Sequence, residues 1–178
     1  MSFFLSTEKT GLRPISLSDS GEEYLSWMND SEVTKGLESG AFPTTKEALD
    51  DFLKSVTVSK NNVMLAIIDR ESGKHIGNIK LGNINWVHRH AELGILIGNK
   101  NFWGKGHGTE ACRLVVEYAF STLNLHKVWL AVFSNNPGAY HIYKKLGFVE
   151  EGRLRDHVFA DGQYFDKILM SVFNPSDK

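Results

Sequence analysis

Hydrophobic and polar residues alternate along the first half of the chain in patterns that predict strands and amphipathic helices. The cap signal Ser-Asp-Ser precedes the first helical pattern, and a pair of threonines precedes the second. The polar segment DRESGK separates two apolar runs, which is typical of a β-hairpin. The predicted elements are strands at 12–17, 63–68 and 75–81, and helices that begin near 18–20 and at Thr44 or Thr45.

The second half of the chain predicts strands and helices in alternation. The run AELGILI at 91–97 is short and apolar, which is typical of a buried strand. A helical pattern follows three glycines and extends to Leu123. Residues 128–133 are apolar on both faces, which favours an internal strand. The last elements are a helix that Asn136 caps and Gly147 ends, with Pro137 at its first position, and strands at 148–149 and 164–172.

This order of elements predicts a mixed α/β sheet in a single domain over residues 1–178, a length sufficient for one core. The formal net charge of -1 excludes a strong global attraction to nucleic acid or to an anionic membrane. Cys112 is the only cysteine, which excludes an internal disulfide and favours a reducing, cytoplasmic location. We expect neither a signal peptide nor a spanning segment, and a monomer or homodimer that binds no nucleic acid or membrane directly.

The stretch NFWGKGHGTE at 101–110 places three glycines between a strand and a helix. Bare backbone amides at a helix N-terminus, together with the helix dipole, form a site for anions. The spacing fits neither the nucleotide-binding P-loop nor the dinucleotide fingerprint, in which a third glycine would stand at Thr109. The sequence therefore predicts a phosphate ligand of another kind, and the alternative is a glycine-rich turn that fits tight packing.

Two motifs resemble those of the GNAT superfamily of N-acetyltransferases. Trp103, Gly106 and Gly108 fit the pattern Q/R-x-x-G-x-G/A, with tryptophan at the first position, a change similar to that in the RimJ/RimL branch. Residues 136–148 resemble the pattern N-x-x-A-x-x-x-Y-x-K-x-G-F on the helix where that family has it. Residues 84–97 and 152–166 are also similar to the RimJ/RimL and spermidine acetyltransferase branches.

The resemblance implies a GNAT fold that binds acetyl-CoA as co-substrate and needs no metal. In that fold a mostly antiparallel, twisted sheet of six or seven strands is flanked by about four helices. The strand matching 91–97 bulges and splays away from the one matching 127–133, and pantetheine fills the gap. The residues implied to bind the cofactor are Ile95, Leu96 and Ile97 through their backbone, Trp103, Gly104, Lys105, Gly106, His107, Gly108 and Thr109 around the pyrophosphate, and Asn136 and Tyr143 beside the pantetheine arm.

The family's catalytic groups match Tyr143 and Glu92. The family's acid protonates the leaving thiolate, and a phenol with a pKa of roughly 10 is slightly weaker than a thiol at roughly 8.5, so its placement matters most. Tyr143 also shares a helix face with apolar residues, so a core tyrosine is the alternative. Glu92 is the one charge in AELGILI and the candidate base; an exposed strand residue is the alternative, and Asp156 and His157 are further candidates.

The acceptor amine is open at this stage. The RimJ/RimL resemblance favours a protein N-terminus of the ribosomal type or a small amine, whereas WMND and HIGNIKLGNINW resemble amino-sugar-nucleotide acetyltransferases. Asn83 stands where polyamine acetyltransferases carry a glutamate, which weakens that alternative. A non-catalytic sensor or scaffold that binds acyl-CoA is another. The side chain of His107 is expected to face water, and His88 and His90 to lie in a solvated turn rather than at a metal site.

Overall fold

Eight strands form one sheet in the order β1-β2-β3-β4-β5-β6-β8-β7 in the computed structural model of the chain, which describes residues 2–177. Every neighbouring pair is antiparallel except β5 and β6, which are parallel. The strands are β1 (Leu5–Ser6), β2 (Thr10–Pro14), β3 (Val63–Asp69), β4 (His75–Asn85), β5 (His90–Ile97), β6 (Lys127–Phe133), β7 (Val149–Ala160) and β8 (Gln163–Phe173). The helices are α1 (Glu22–Met28), α2 (Ser31–Thr34), α3 (Lys46–Val58), α4 (His107–Ser121) and α5 (Pro137–Lys145).

The sheet separates two hydrophobic cores. Buried residues of α4 form the larger core with the strands, and α5 packs against the same core. Residues of α1, α2 and α3 form the smaller core on the other face. Strand alternation divides β5 between them, because Ala91 and Leu93 belong to the larger core while Leu96 packs against the smaller one. Side chains at successive positions of β5 therefore reach opposite faces of the molecule.

The predicted fold class is confirmed, and several element boundaries follow the predicted signals. Thr45 caps α3 through its side chain, and Asn136 caps α5 with Pro137 at the first position. The structure adds the short elements β1 and α2 to those predicted. None of the helices within residues 2–177 combines the length and apolar character that crossing a bilayer requires.

Several predicted boundaries are wrong, among them the strand predicted at 12–17, which is β2 at Thr10–Pro14, and the strand predicted at 75–81, which is β4 and extends to Asn85. The helix α1 is capped by Gly21 instead of the segment 18–20, because Ser16 begins a 3-10 turn in which the Asp19 carboxylate accepts the Ser16 N–H at 2.8 Å. The strand predicted at 148–149 is β7, which starts at Val149 and runs to Ala160. Most of its residues are exposed, so the apolar alternation that marks buried strands is missing.

Candidate active site

The sheet opens between its two parallel strands. Pairing of β5 with β6 is limited to three positions and ends where Glu92 faces Trp129. Beyond that point β5 stays paired with β4 and β6 with β8, so the two strands part towards their carboxyl ends. The gap has the position that the sequence predicts. The predicted bulge on β5 is wrong, because the register shift lies on β4 between Gly82 and Asn85, where Asn83 has a φ of 51°.

Backbone groups of β5 that lack a strand partner face this gap. The N–H of Gly98 donates to the carbonyl of Ile76 at 2.9 Å, and hydrogen-bonded pairs recur at every second residue of an antiparallel ladder. The backbone groups of Leu96 therefore point at β4, where a side chain on Gly77 would collide with the Leu96 oxygen. Ile95 and Ile97 point into the gap, which leaves these two of the three predicted residues as backbone candidates.

Trp103 lies at the edge of the same gap. Its indole Nε1–H donates to the Ile97 carbonyl at 2.7 Å, and the side chain is 38% exposed. The tryptophan thus satisfies a strand-edge carbonyl that the gap would otherwise leave open. This contact gives a local reason for the departure from the glutamine or arginine of the family pattern.

The N-terminus of α4 follows β5 and is left without a cap. Gly106 is the N-cap residue with a φ of 87° and offers no side-chain acceptor. Within the described residues, none of the backbone N–H groups from 104 to 109 donates to a protein acceptor. At α5 the amide of Ala139 donates to the Asn136 side chain at 3.1 Å, and Pro137 has no N–H. Of these two helices, α4 therefore offers the longer run of free amides, together with its dipole, to an anion.

The three glycines of this turn are not required by protein packing. Gly104 and Gly106 have φ values of 71° and 87°, which the backbone of the turn needs. A methyl carbon on Gly104 would have no neighbour within 4 Å, and one on Gly108 would lie 3.7 Å from Ile95 and Ile97, an ordinary contact. The tight-packing alternative therefore loses its main support at Gly108, and the residues present fit an approaching diphosphate.

The expectation that the His107 side chain faces water is wrong. The imidazole is 2% exposed, with Nδ1 3.0 Å from the Thr10 hydroxyl and Nε2 3.5 Å from the Asp69 carboxylate. Burial lowers the pKa of His107 and outweighs the opposing effect of Asp69. The side chain anchors α4 to β2 and β3, so only the backbone of His107 is available to a ligand.

Glu110 and Lys9 support the same helix end. The Glu110 carboxylate accepts hydrogen bonds of 2.6 Å from both Thr7 and Thr10, which ties α4 to the β1–β2 hairpin. The ammonium of Lys9 lies 3.7 Å from Glu110 and donates to the carbonyl of Lys105. The carboxylate is thus turned towards the hairpin, and it does not occupy the free amides of the first turn.

Tyr143 and Glu92 lie on opposite faces of the sheet, on either side of the gap. Tyr143 packs against the larger core with its ring 5.8 Å from that of Phe148. Glu92 alternates with the residues that face this core, and its Oε2 accepts a hydrogen bond from Asn83 Nδ2 at 3.0 Å. Burial, and to a lesser extent Cys112, raises the pKa of Tyr143, so the phenol keeps its proton at neutral pH.

The remaining candidates take other positions in the fold. Asp156 and His157 lie on β7, and His157 lines a second cavity together with Phe133, the last residue of β6. Burial raises the pKa of Cys112 to about 12, so the thiol stays protonated and packs as an apolar side chain. Among residues 2–177, no group of three or more His, Cys, Asp or Glu side chains is arranged to hold a metal ion.

Two polar residues that line a cavity beside β5 are not among the candidates that the sequence predicts. Asn78 and Lys80 lie on β4 and line a cavity on the face covered by α1 and α3. Their signal was present, since both interrupt an otherwise apolar strand at alternate positions.

Known proteins resemble the chain in sequence and in structure. The sequence pattern described as "Acetyltransferase (GNAT) domain" matches residues 9–149. A spermidine N(1)-acetyltransferase of Escherichia coli (strain K12) is 45% identical over 101 residues, 57% of this chain and 54% of that protein. An uncharacterized N-acetyltransferase of Bacillus licheniformis is 30% identical over 170 residues, which are 94% of each chain.

A solved structure extends the likeness to nearly the whole fold. The spermidine N-acetyltransferase of Vibrio cholerae in complex with CoA and spermine has a TM-score of 0.86 at 28% identity, covering 94% of this chain and 97% of that one. In sequence, the match spans about half the length of the Escherichia coli relative. The domain pattern matches most of this chain, and the splayed strands and uncapped helix lie within the matched part. The chain therefore belongs to the GNAT acetyltransferase family.

Proposed function

We propose that the protein transfers the acetyl group of acetyl-CoA to a primary amine by direct attack of the amine on the thioester. The observation that carries this proposal is the parting of β5 and β6 beside the uncapped N-terminus of α4. Amides at 104–109 bind the pyrophosphate, and the backbone of Ile95 and Ile97 pairs with the pantetheine arm in the gap. Acetyl-CoA supplies an activated acyl group when bound.

The chain supplies an acid and a base on the two sides of that group. An alkylammonium has a pKa of roughly 10 and must lose a proton before it attacks. Glu92 accepts this proton, directly or through water, on the face covered by α1 and α3. Tyr143 holds the proton for the leaving sulfur on the face covered by α4 and α5. A backbone N–H of Ile97 facing the gap stabilises the thioester oxygen as charge develops.

Asn136 has a supporting part in this arrangement. Its Oδ1 caps α5 by accepting a hydrogen bond from the amide of Ala139. Its Nδ2 lies beside Gly36, where an added Cβ would be 3.3 Å away. The amide therefore fixes the start of the helix that carries Tyr143, and its free N–H group is the part available to the pantetheine arm.

Glu92→Gln is expected to lower kcat/KM for an alkylamine by roughly tenfold to a hundredfold, because the proton acceptor is lost. The amide oxygen of glutamine can still accept the hydrogen bond from Asn83, so the local geometry is kept. With trifluoroethylamine, a much weaker base, the deficit should shrink because little of the amine is protonated. Steady-state rates on both amines test this, and an equal deficit on both would contradict the role as base.

The acceptor has two leading candidates. A protein N-terminus or small amine follows from the RimJ/RimL resemblance. A polyamine is favoured by the relatives that are named spermidine N-acetyltransferases and by the solved complex with spermine. An amino-sugar nucleotide is a third class that a panel of amines must include.

A thiol-release assay with acetyl-CoA tests the proposal. The panel contains a peptide with a free N-terminus, spermidine and an amino-sugar nucleotide, and calorimetry measures acetyl-CoA binding in parallel. Release of CoA with at least one amine is the expected result. Binding without turnover on any amine would favour the non-catalytic sensor, and the absence of binding would contradict both.

A further inference from the structure

The Ile97 carbonyl has two prospective partners. In the structure it accepts a hydrogen bond of 2.7 Å from the indole Nε1–H of Trp103. In the proposed function the same backbone pairs with the pantetheine arm, because the Ile97 groups point away from β4 and into the gap. The indole therefore holds an acceptor that the arm also requires.

The position of the indole leaves no room for a second partner along this strand edge. A strand and its neighbour lie about 4.8 Å apart in the hydrogen-bonding direction. A donor hydrogen prefers the plane of the carbonyl group, which for a strand residue is close to the plane of the sheet. With Nε1 2.7 Å from the Ile97 oxygen, the ring lies within the space that a neighbouring chain would fill. The oxygen has a second lone pair, but the ring and the arm would overlap.

The Trp103 side chain is placed to move. It is 38% exposed, whereas Trp27, which packs in the smaller core, is 5% exposed. The next residue is Gly104, where an added Cβ would have no neighbour within 4 Å, so the space beside the loop is open. Turning the ring out of the gap therefore breaks one hydrogen bond between neutral groups and disturbs neither hydrophobic core.

The backbone beneath the ring is fixed independently of this contact. The Trp103 N–H donates to the Lys100 carbonyl at 3.1 Å and closes a 3-10 turn. The Asn99 side chain caps the same turn by accepting from the N–H of Asn101 at 3.1 Å. Rotation about the side-chain bonds of Trp103 thus suffices to release Ile97, and the turn that leads to the free amides of α4 keeps its shape.

We propose that Trp103 is a latch on the cofactor gap. Its indole caps the Ile97 carbonyl until an amide N–H of the pantetheine arm takes its place, and the ring then leaves the gap. The proposal rests on the proposed transferase function and adds a regulatory step at the same site. It requires that a ligand opens the latch only if the ligand carries the arm, because an ionised diphosphate has no hydrogen to donate to the Ile97 carbonyl.

Nuclear magnetic resonance of the indole N–H groups tests which ligands open the latch. The chain has four tryptophans, so four such signals are expected, and the signal that is lost in the Trp103→Phe variant belongs to Trp103. We expect CoA to move this signal, and 3′-phosphoadenosine 5′-diphosphate, which is CoA without the arm, to move it much less. Backbone amides of 104–109 should respond to both ligands. A Trp103 signal that CoA leaves unchanged, or that both ligands move equally, would overturn the proposal.

A crystal structure of the complex with CoA gives the geometry directly. The Trp103 Nε1 should lie beyond hydrogen-bond distance of the Ile97 oxygen, with a nitrogen of the arm in its place. An indole that still donates to Ile97 beside a bound arm would show that the two share the carbonyl, and the latch would be wrong.

Calorimetry gives the sign of the indole's contribution to affinity. Trp103→Phe keeps an aromatic ring but removes the N–H that the arm must displace, so CoA should bind about threefold to tenfold tighter, the effect of one hydrogen bond. The affinity for 3′-phosphoadenosine 5′-diphosphate should stay at the wild-type value. Trp86→Phe is the matched control, since Trp86 is also exposed and donates to Asn61 Oδ1 at 3.1 Å, at the hairpin between β4 and β5. Unchanged or weaker binding of CoA by Trp103→Phe would show that the indole does not compete with the arm, and the proposal would fail.

The same measurements separate the latch from the transferase function. Binding of CoA with the indole still on Ile97 would contradict the latch and leave the cofactor site intact. Absence of CoA binding would contradict the proposed function and the latch together. Neither result depends on turnover, because both are read from binding.

Discussion

We expect the Tyr143→Phe variant to lose roughly 10²–10⁴-fold in kcat, because the leaving sulfur would depart without a proton donor. The KM for acetyl-CoA should be unchanged, since the ring and its packing against Phe148 are kept. The phenol makes no hydrogen bond to the described residues, so its removal leaves no protein group unsatisfied. Steady-state kinetics and a thermal unfolding midpoint measured together separate loss of the acid from loss of the fold.

Tyr140→Phe is the matched control. Tyr140 lies on the same helix, and its hydroxyl makes only a 3.4 Å contact with Glu150. The kcat of the Tyr140→Phe variant should stay within about twofold of the wild-type value. If Tyr143→Phe behaved in the same way, the core-tyrosine interpretation would be correct and the acid would have to be sought elsewhere.

The raised pKa of Tyr143 also predicts how kcat depends on pH. A general acid works only while protonated, and burial keeps this phenol protonated above its usual range. Ionisation of Tyr143 should therefore not limit kcat up to about pH 9. The same burial makes the phenol a weaker acid, so its contribution depends on closeness to the sulfur more than on driving force.

Features set by local chemistry were predictable from the sequence. Asn136 caps α5 and Pro137 opens it, because both effects act within one turn of helix. Gly106 adopts the left-handed conformation that glycine allows most readily, and the turn it forms leaves the amides of α4 bare. The family motifs fall on the parts of the chain where the fold needs a special backbone, which is why a short spacing was informative.

Features set by distant partners were not predictable in the same way. The sequence places His107 in a loop with its side chain facing water, yet its partners Thr10 and Asp69 come from β2 and β3. The order of the strands in the sheet decides this case, and residue-by-residue patterns carry no information on which strands will be neighbours.

The Gly108→Asp variant is expected to keep its stability while binding of acetyl-CoA weakens by roughly tenfold to a hundredfold, since a carboxylate in the first turn of α4 would repel the diphosphate and compete with it for the free amides. Gly108 is the second residue of α4, and its added carbon would make only ordinary contacts with Ile95 and Ile97. Aspartate is favoured over glycine within a helix and is stabilising near a helix N-terminus, so the unfolding midpoint should not fall.

Gly138→Asp gives the comparison that isolates the ligand. Gly138 is the second residue of α5, and its added carbon would lie 3.9 Å from Asn136 Oδ1, again an ordinary contact. Both variants should keep or raise the unfolding midpoint of the wild type for the same reason, and only Gly108→Asp should lose affinity in calorimetry. Equal affinities would show that the free amides of α4 are not where the diphosphate binds, because a packing role for Gly108 is already excluded by the space around it.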